Sequence, residues 1–143
     1  MSKMRLTHQL TPLQFKDVFS FLSERSYWSK GIDETRLKKA LDHSLCFALV
    51  DGKQLLAFCR VVTDQATFAN LLDVFVLEPY RGQGLGKKLI DSVMTHPELQ
   101  GLRRFTLATK DAHSLYQQFG FSELANPDIA MEKYVTNIYS HSL

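Results

Sequence analysis

Apolar positions in this chain change their spacing along its length, and each change marks a new element. Val18, Phe19 and Leu22 continue one apolar face of a helix that opens at Thr11-Pro12-Leu13-Gln14. There Thr11 can cap, Pro12 suits the first helical position, Gln14 completes a capping box, and Leu10 and Phe15 stand at staple spacing. The pattern stops near Ser23 to Ser26, and a second helix is predicted after Asp33, with Leu37, Ala40 and Leu41 inward and an end near His43. Period two then takes over. Leu45 to Val50, the Asp51-Gly52 turn and Gln54 to Val62 predict a hairpin, because the Asp-Gly pair supplies the positive φ angles of a tight turn. After a turn at Thr63 to Gln65, Thr67 to Val76 forms a long, largely apolar strand. Leu85, Leu89, Ile90, Val93 and Met94 return to helical spacing and leave Lys87, Lys88, Asp91 and Thr95 outward. Phe105 and Leu107 alternate in a further strand, a short helix capped at Asp111 follows, and Phe121 to Leu124 and Ile129 to Tyr134 are predicted as two last strands. The alternation of strands and helices predicts the α/β class, with a mixed sheet carrying helices on both faces.

Composition narrows what such a domain does. The 143 residues suit one domain, 1–143, with a core over about 5–134 and a tail over 135–143, and they show no repeat, low-complexity stretch or linker. The tail carries Ile138 and Tyr139 among polar residues and can pack on its own domain or on the neighbouring subunit of a homodimer. No apolar run approaches the ~20 residues of a membrane span, and Met1-Ser2-Lys3-Met4-Arg5 lacks a secretory apolar stretch, so a cytoplasmic address is expected and no membrane partner. A net charge of +2 with dispersed basic residues argues against nucleic acid. Cys46 and Cys59 sit in apolar, strand-like runs, which predicts buried free thiols rather than a disulfide, a metal site or a covalent acetyl-cysteine step.

Candidate chemistry concentrates in Val76 to Gly86, V-L-E-P-Y-R-G-Q-G-L-G, where a strand runs through a proline turn into a glycine-spaced loop and then a helix. Backbone N–H groups clear of side chains, at the positive end of a helix dipole, form a cradle for a phosphate-bearing ligand. A Walker loop needs four residues between its first glycine and Gly-Lys-Ser/Thr, whereas three separate Gly82 from Gly86 and Lys88 stands where the hydroxyl belongs. A dinucleotide fingerprint needs G-x-G-x-x-G after a first strand, and this loop reads G-x-G-x-G in mid-chain.

The pattern Arg81-x-x-Gly84-x-Gly86 resembles the acetyl-CoA loop of the GNAT superfamily of N-acetyltransferases. Asp111-Ala112-His113-Ser114-Leu115-Tyr116-Gln117-Gln118-Phe119-Gly120-Phe121 is similar to that family's second signature, a short helix carrying Leu-Tyr and closing on Gly-Phe. The resemblance covers residues 5 to 134. It implies a mostly antiparallel sheet of six to seven strands, with a central pair splayed apart between Leu72–Val76 and Phe105–Thr109 to admit the pantetheine arm. It implies that backbone groups of Phe75 and Val76 pair with that arm, and that the Val76 N–H faces the thioester oxygen. The pyrophosphate is then expected on Gly82, Gly84, Leu85 and Gly86, with charge from Arg81 and Lys87. Taken alone, either of the first two glycines can equally serve a simple turn.

The same resemblance makes Tyr116 the catalytic group that donates toward the coenzyme A sulfur, against a reading as core packing with Leu115 and Phe119. Full proton transfer from a phenol (~10) to a thiolate (~8.5) is uphill by about 2 kcal/mol, so hydrogen bonding to the leaving sulfur is the safer description. A primary amine of pKa ~10.4 is only ~0.04% neutral at pH 7, so a base or water chain must take its proton. Asp73, interrupting an apolar strand, is the candidate base, with pairing to Arg60 or a backbone amide as the alternative; Glu78 and His113 are expected to be solvated. Tyr27 and Trp28, between the first two helices, are the candidate acceptor-pocket residues, or else an aromatic plug. Lys30, Arg60, Thr63 and Asp64 are further candidates for that pocket. The implied function is acetyl transfer from acetyl-CoA to a primary amine in a ternary complex, without metal. The alternatives are a noncatalytic acyl-CoA-binding module and, from the same loop, nucleotide phosphoryl transfer.

Overall fold

The computed structural model describes residues 3–140; Met1, Ser2 and residues 141–143, which include the last of the tail, lie outside the described residues. In chain order the elements are β1 (Met4–Thr7), α1 (Pro12–Ser20), α2 (Glu34–Asp42), β2 (Leu45–Asp51), β3 (Gln54–Thr63), β4 (Phe68–Val76), α3 (Leu85–Met94), β5 (Arg104–Leu107) and α4 (His113–Gln117). The five strands form one sheet in the order β1-β2-β3-β4-β5, antiparallel throughout except for the parallel pair β4 and β5.

Local chemistry accounts for the element starts. Thr11 and Gln14 exchange both capping-box hydrogen bonds, Gln14 N–H to Thr11 Oγ1 at 3.2 Å and Thr11 N–H to Gln14 Oε1 at 2.9 Å. Leu10 and Phe15 pack on the same apolar cluster, as a staple does. Asp33 caps α2 through the Arg36 N–H, and Gly52 takes φ 59° in the β2–β3 turn. After Ser20 the first helix widens into a π turn over Phe21–Arg25, with Ser26 N–H donating to Phe21 O.

Two apolar clusters flank the sheet. On one face Val18, Phe21 and Leu22 from the first helix and Leu37 and Leu41 from α2 cover Val50, Phe58 and Phe75. On the other, Leu85, Leu89, Ile90 and Val93 from α3 cover Phe47, Cys59, Val61 and Leu71. Burying each of those four α3 side chains stabilises the helix on the sheet by roughly 1.5–3 kcal/mol. Helices thus lie on both faces, as the pattern of elements requires.

Three expectations are corrected, and one strand is found that no pattern announced. The sheet has five strands rather than six to seven, because neither Phe121 to Leu124 nor Ile129 to Tyr134 pairs with a neighbour among the described residues; alternation selects a face but supplies no edge to pair with. Met4–Thr7, too short to show a period, is a strand nonetheless. The helix expected to be capped at Asp111 begins at His113, with Ala112 in the cap position and its N–H held by Thr109 Oγ1 at 3.1 Å. The splay is shorter than expected on its β5 side: pairing runs to Leu71↔Leu107, so Phe105 to Leu107 are still paired and only the chain beyond Leu107 diverges from Leu72–Val76.

Candidate active site

The opening between β4 and the chain beyond β5 is made by a bulge. Across β3 and β4, Phe58 faces Phe75 while Arg60 faces Leu72, so Asp73 and Val74 together occupy the place opposite Cys59. Asp73 takes φ 56°, the left-handed region that an aspartate tolerates better than most residues. The extra residue flips the strand: Ala69 and Leu71 face α3, whereas after the bulge Val74 and Val76 do so and Phe75 turns to stack on Phe21 at 4.1 Å. Leu77 N–H donates to Leu56 O at 2.9 Å, so alternation points the Val76 N–H and C=O the other way, onto the opened edge. The Val76 carbonyl accepts from Arg81 Nε at 2.9 Å, which folds that side chain back over the strand end.

Beyond the strand end, Glu78–Tyr80 makes one 3₁₀ turn and the glycine loop follows. Gly82 and Gly84 adopt φ 79° and 78°, and a Cβ at either would meet nothing within 4 Å. Whereas α1 and α2 close first-turn amides with Thr11 and Asp33, α3 starts at Gly84 with no side-chain cap. Its first internal bond is Lys88 N–H to Gly84 O at 3.1 Å, so the amides of Leu85, Gly86 and Lys87 have no acceptor among the described residues. A cavity of about 360 Å³ lies alongside, lined by Gly84, Lys87, Lys88, Asp91 and Phe119. Open amides, a positive helix end and room beside them fit a diphosphate. The larger groove of about 920 Å³, between the β1–α1 connection and α2, contains none of these residues.

Tyr116 reaches the opening from the α3 face. Its ring is buried beside Phe121, centroids 6.0 Å apart. Its hydroxyl has no hydrogen-bond partner among the described residues, yet no buried side-chain polar atom is orphaned there, so the hydroxyl opens on solvent. Burial, with a smaller contribution from the Cys59 thiol, pushes its pKa up to about 12. The phenol is therefore a neutral donor across the physiological range.

From the opposite face comes the loop after the π turn. Trp28 Nε1 donates to Asp73 Oδ1 at 2.7 Å, and Arg60 Nε donates to Asp73 Oδ2 at 2.6 Å. Arg60 is held in turn by Ser44 Oγ, at 3.1 Å. Asp73 is 8% exposed, and both its oxygens are engaged, so the pairing with Arg60 that its sequence position allowed is formed. Tyr27 meets Trp28 edge to face at 5.0 Å and lies under Lys110 Nζ, 5.0 Å from its ring centroid. One short loop therefore ties β4, through Asp73, to the segment after β5, through Lys110, across the mouth of the splay. Lys110 had no signal in the sequence beyond its place after a strand, and Phe119 had only its place in the second motif.

Other candidates fall away from the opening. His113 is exposed at the start of α4, and Glu78 is half exposed and pairs with Arg25 at 2.9 Å. Thr63 and Asp64 hold the β3–β4 turn through Phe68 O, Thr67 and nearby backbone amides. Both cysteines are free and buried, and burial pushes the Cys46 thiol up to about 11 and holds the Cys59 thiol well above the usual thiol range, so neither is a thiolate at neutral pH. Among the described residues no group of three His, Cys, Asp or Glu could hold a metal ion, and no helix is long and apolar enough to cross a membrane.

Residues 15–121 match the model of the acetyltransferase (GNAT) family. The chain belongs to this family. Among solved structures, a Xanthomonas campestris pv. campestris protein assigned to the GNAT family superposes with a TM-score of 0.92 at 45% identity, over 98% of this chain and 99% of the other. Among curated relatives, the [ribosomal protein bS18]-alanine N-acetyltransferase of Haemophilus influenzae is 30% identical over 102 residues, covering 68% of this chain and 66% of its own. An uncharacterised ycf52-like N-acetyltransferase of Prochlorococcus marinus is 37% identical over 93 residues, covering 61% and 52%. The chain thus spans about half to two thirds of the length of these curated relatives. Members of the GNAT family are acyltransferases, and the family's co-substrate is acetyl-CoA.

Proposed function

We propose that this GNAT protein transfers an acetyl group from acetyl-CoA to a primary amine by direct attack, with donor and acceptor bound together. The observation that carries the reading is the junction at the splay. The opened edge of β4 leads at one end to the uncapped start of α3, and at the other lies under a loop that touches both diverging segments. When bound, acetyl-CoA supplies the activated acetyl thioester. Gly82, Gly84, Leu85 and Gly86 hold its diphosphate through backbone amides, with Arg81 and Lys87 adding charge. Phe75 and Val76 offer backbone groups to the pantetheine arm, and the Val76 N–H on the opened edge stabilises charge building on the thioester oxygen. Tyr116 donates a hydrogen bond to the departing sulfur.

The acceptor enters from the Trp28 side. Trp28 and Tyr27 form an aromatic wall for the body of the amine, and the Asp73 carboxylate, fixed by Arg60 and Trp28, stands at the edge of the path. With one donor on each oxygen it still has lone pairs, and it takes the amine's proton directly or through water. A metabolite-wide search with labelled acetyl-CoA and purified protein tests this reading; new acetylated amines are expected. Tight acetyl-CoA binding with thiol release at background for every amine would replace it with a noncatalytic acyl-CoA-binding module. Thermal stabilisation by Mg-ATP and not by acetyl-CoA would refute the cradle assignment itself.

A further inference from the structure

The nitrogens of the Arg60 guanidinium differ in their surroundings. Nε donates to Asp73 Oδ2 at 2.6 Å and Nη1 to Ser44 Oγ at 3.1 Å, so both are engaged within the protein. Nη2 has no hydrogen-bond partner among the described residues, and no buried side-chain polar atom there lacks one, so Nη2 opens on solvent. The side chain that carries it is only 17% exposed. A guanidinium fixed at two nitrogens and open at the third is set to receive an anion, and its partial burial limits screening by water. A second cation and an apolar wall stand close by. Lys110 Nζ faces the Tyr27 ring and has no carboxylate in ion-pair range among the described residues. Trp28, which shares Asp73 with Arg60, is 40% exposed, and Tyr27 beside it is 66% exposed.

Resting on the acetyl-transfer reading, we propose that Arg60 and Lys110 hold the carboxylate of the acceptor, a free α-amino acid with an apolar side chain. Such a molecule carries its ammonium and carboxylate on one carbon, and Asp73 and Arg60 present the opposite charges side by side, so the two pairs match head to tail. The carboxylate takes the Arg60 Nη2 hydrogens under the field of Lys110, the ammonium turns to the lone pairs left on Asp73, and the side chain lies on Trp28 and Tyr27. The nitrogen then bonds to the thioester carbon as the carbon–sulfur bond breaks, giving the N-acetyl amino acid and coenzyme A. Of the two protons the ammonium loses, one leaves through Asp73 to water and the other, through water, ends on the departing sulfur. A simple amine would leave both cations without a counter-charge, and a peptide N-terminus brings them only a neutral carbonyl oxygen.

Trp28 is the only tryptophan in the chain, so its fluorescence reports binding separately from turnover. With coenzyme A present and no acetyl group to transfer, L-leucine, L-methionine and L-phenylalanine are titrated against their carboxamides and the amines left by decarboxylation. At least one free acid is expected to bind roughly 10- to 150-fold more tightly than its amine, the worth of one charge-assisted hydrogen bond, and to give the N-acetyl product once acetyl-CoA replaces coenzyme A. Arg60→Lys keeps a positive charge beside Asp73 but has no planar fork, and it is expected to bring the ratio of acid to amine affinity down toward unity. A merely structural loss at Asp73 would weaken acid and amine alike and leave that ratio unmoved. Free acids that bind with this preference but give no product would keep the carboxylate site and refute the acetyl-transfer reading instead. Amines or carboxamides that bind as well as the acids, an unmoved ratio in the variant, or no binding by any free acid would each overturn the proposal.

Discussion

Replacing Tyr116 with Phe removes one oxygen whose surroundings are known. The ring stays buried against Phe121, and the lost hydroxyl has no protein partner among the described residues, so folding stability should change by less than about 0.5 kcal/mol. In the proposed reaction, where this hydroxyl faces the departing sulfur, what it can do there follows from its pKa of about 12. Against a thiol of ~8.5, giving up the proton is uphill by about 5 kcal/mol, so the phenol acts by hydrogen bonding and not as an acid. A hydrogen bond to a charged partner is worth about 1.5–3 kcal/mol, which sets the expected loss of turnover at about 10- to 150-fold. Thiol release measured against pH, with acetyl-CoA affinity taken by calorimetry, separates the contributions. Affinity should hold, and the parent-to-variant ratio should stay flat up to about pH 10, because a phenol titrating near 12 remains protonated throughout. Equal turnover in the two proteins would make Tyr116 a packing residue. A ratio that collapses near neutral pH would show that the phenol ionises where its burial says it should not.

Gly84→Asp places a carboxylate in open space at φ 78°, where aspartate is tolerated, so the fold should survive while acetyl-CoA affinity falls at least tenfold; unchanged affinity by calorimetry would remove the loop as the diphosphate site. Asp73→Asn keeps the shape and the left-handed backbone but loses the charge facing Arg60: a base role predicts loss of kcat by 100-fold or more, and a positioning role predicts a rise in the acceptor KM with kcat nearly intact. Cys46 has a folded pKa of about 11 against 9.0 in the open chain, so its contribution, up to about 3 kcal/mol, is fully present below pH 9 and is lost as pH rises through 11. Urea melts across that window should show Cys46→Ala losing less stability with rising pH than the parent; identical slopes would refute the assignment.

The sequence was most legible where a local rule determines the outcome. Thr11 and Gln14 specify a helix start without help from distant residues; the hairpin also forms where Asp51-Gly52 placed it, although only Gly52 takes a positive φ and Asp51 closes the strand, paired with Gln54. The glycine loop was equally plain, since the structure leaves the α3 amides as open as the spacing of Gly82, Gly84 and Gly86 implied. The bulge at Asp73 was not legible: its only trace was a carboxylate in an apolar strand, and whether that residue pairs with Arg60 depends on a register shift that no local pattern encodes. The two last strands failed for a related reason. Ile129 to Tyr134 has residues suited to a strand, but pairing is a property of two segments, and among the described residues no strand lies beside it. Lys110 over Tyr27 joins segments far apart in sequence, which residue type alone does not foretell.

The widened turn at Phe21–Arg25 amounts to one residue more than a regular helix would need, held by Ser26 N–H to Phe21 O and by the hydroxyls of Ser23 and Ser26 on earlier carbonyls. Deleting a residue there would restore ordinary helical winding and swing everything that follows by about 100°. Trp28 would leave Asp73 and Tyr27 would leave Lys110, while the glycine loop, on the far side of the sheet, would be untouched. On the proposed reading, a single genetic step there changes which amines fit and keeps the donor half of the reaction whole.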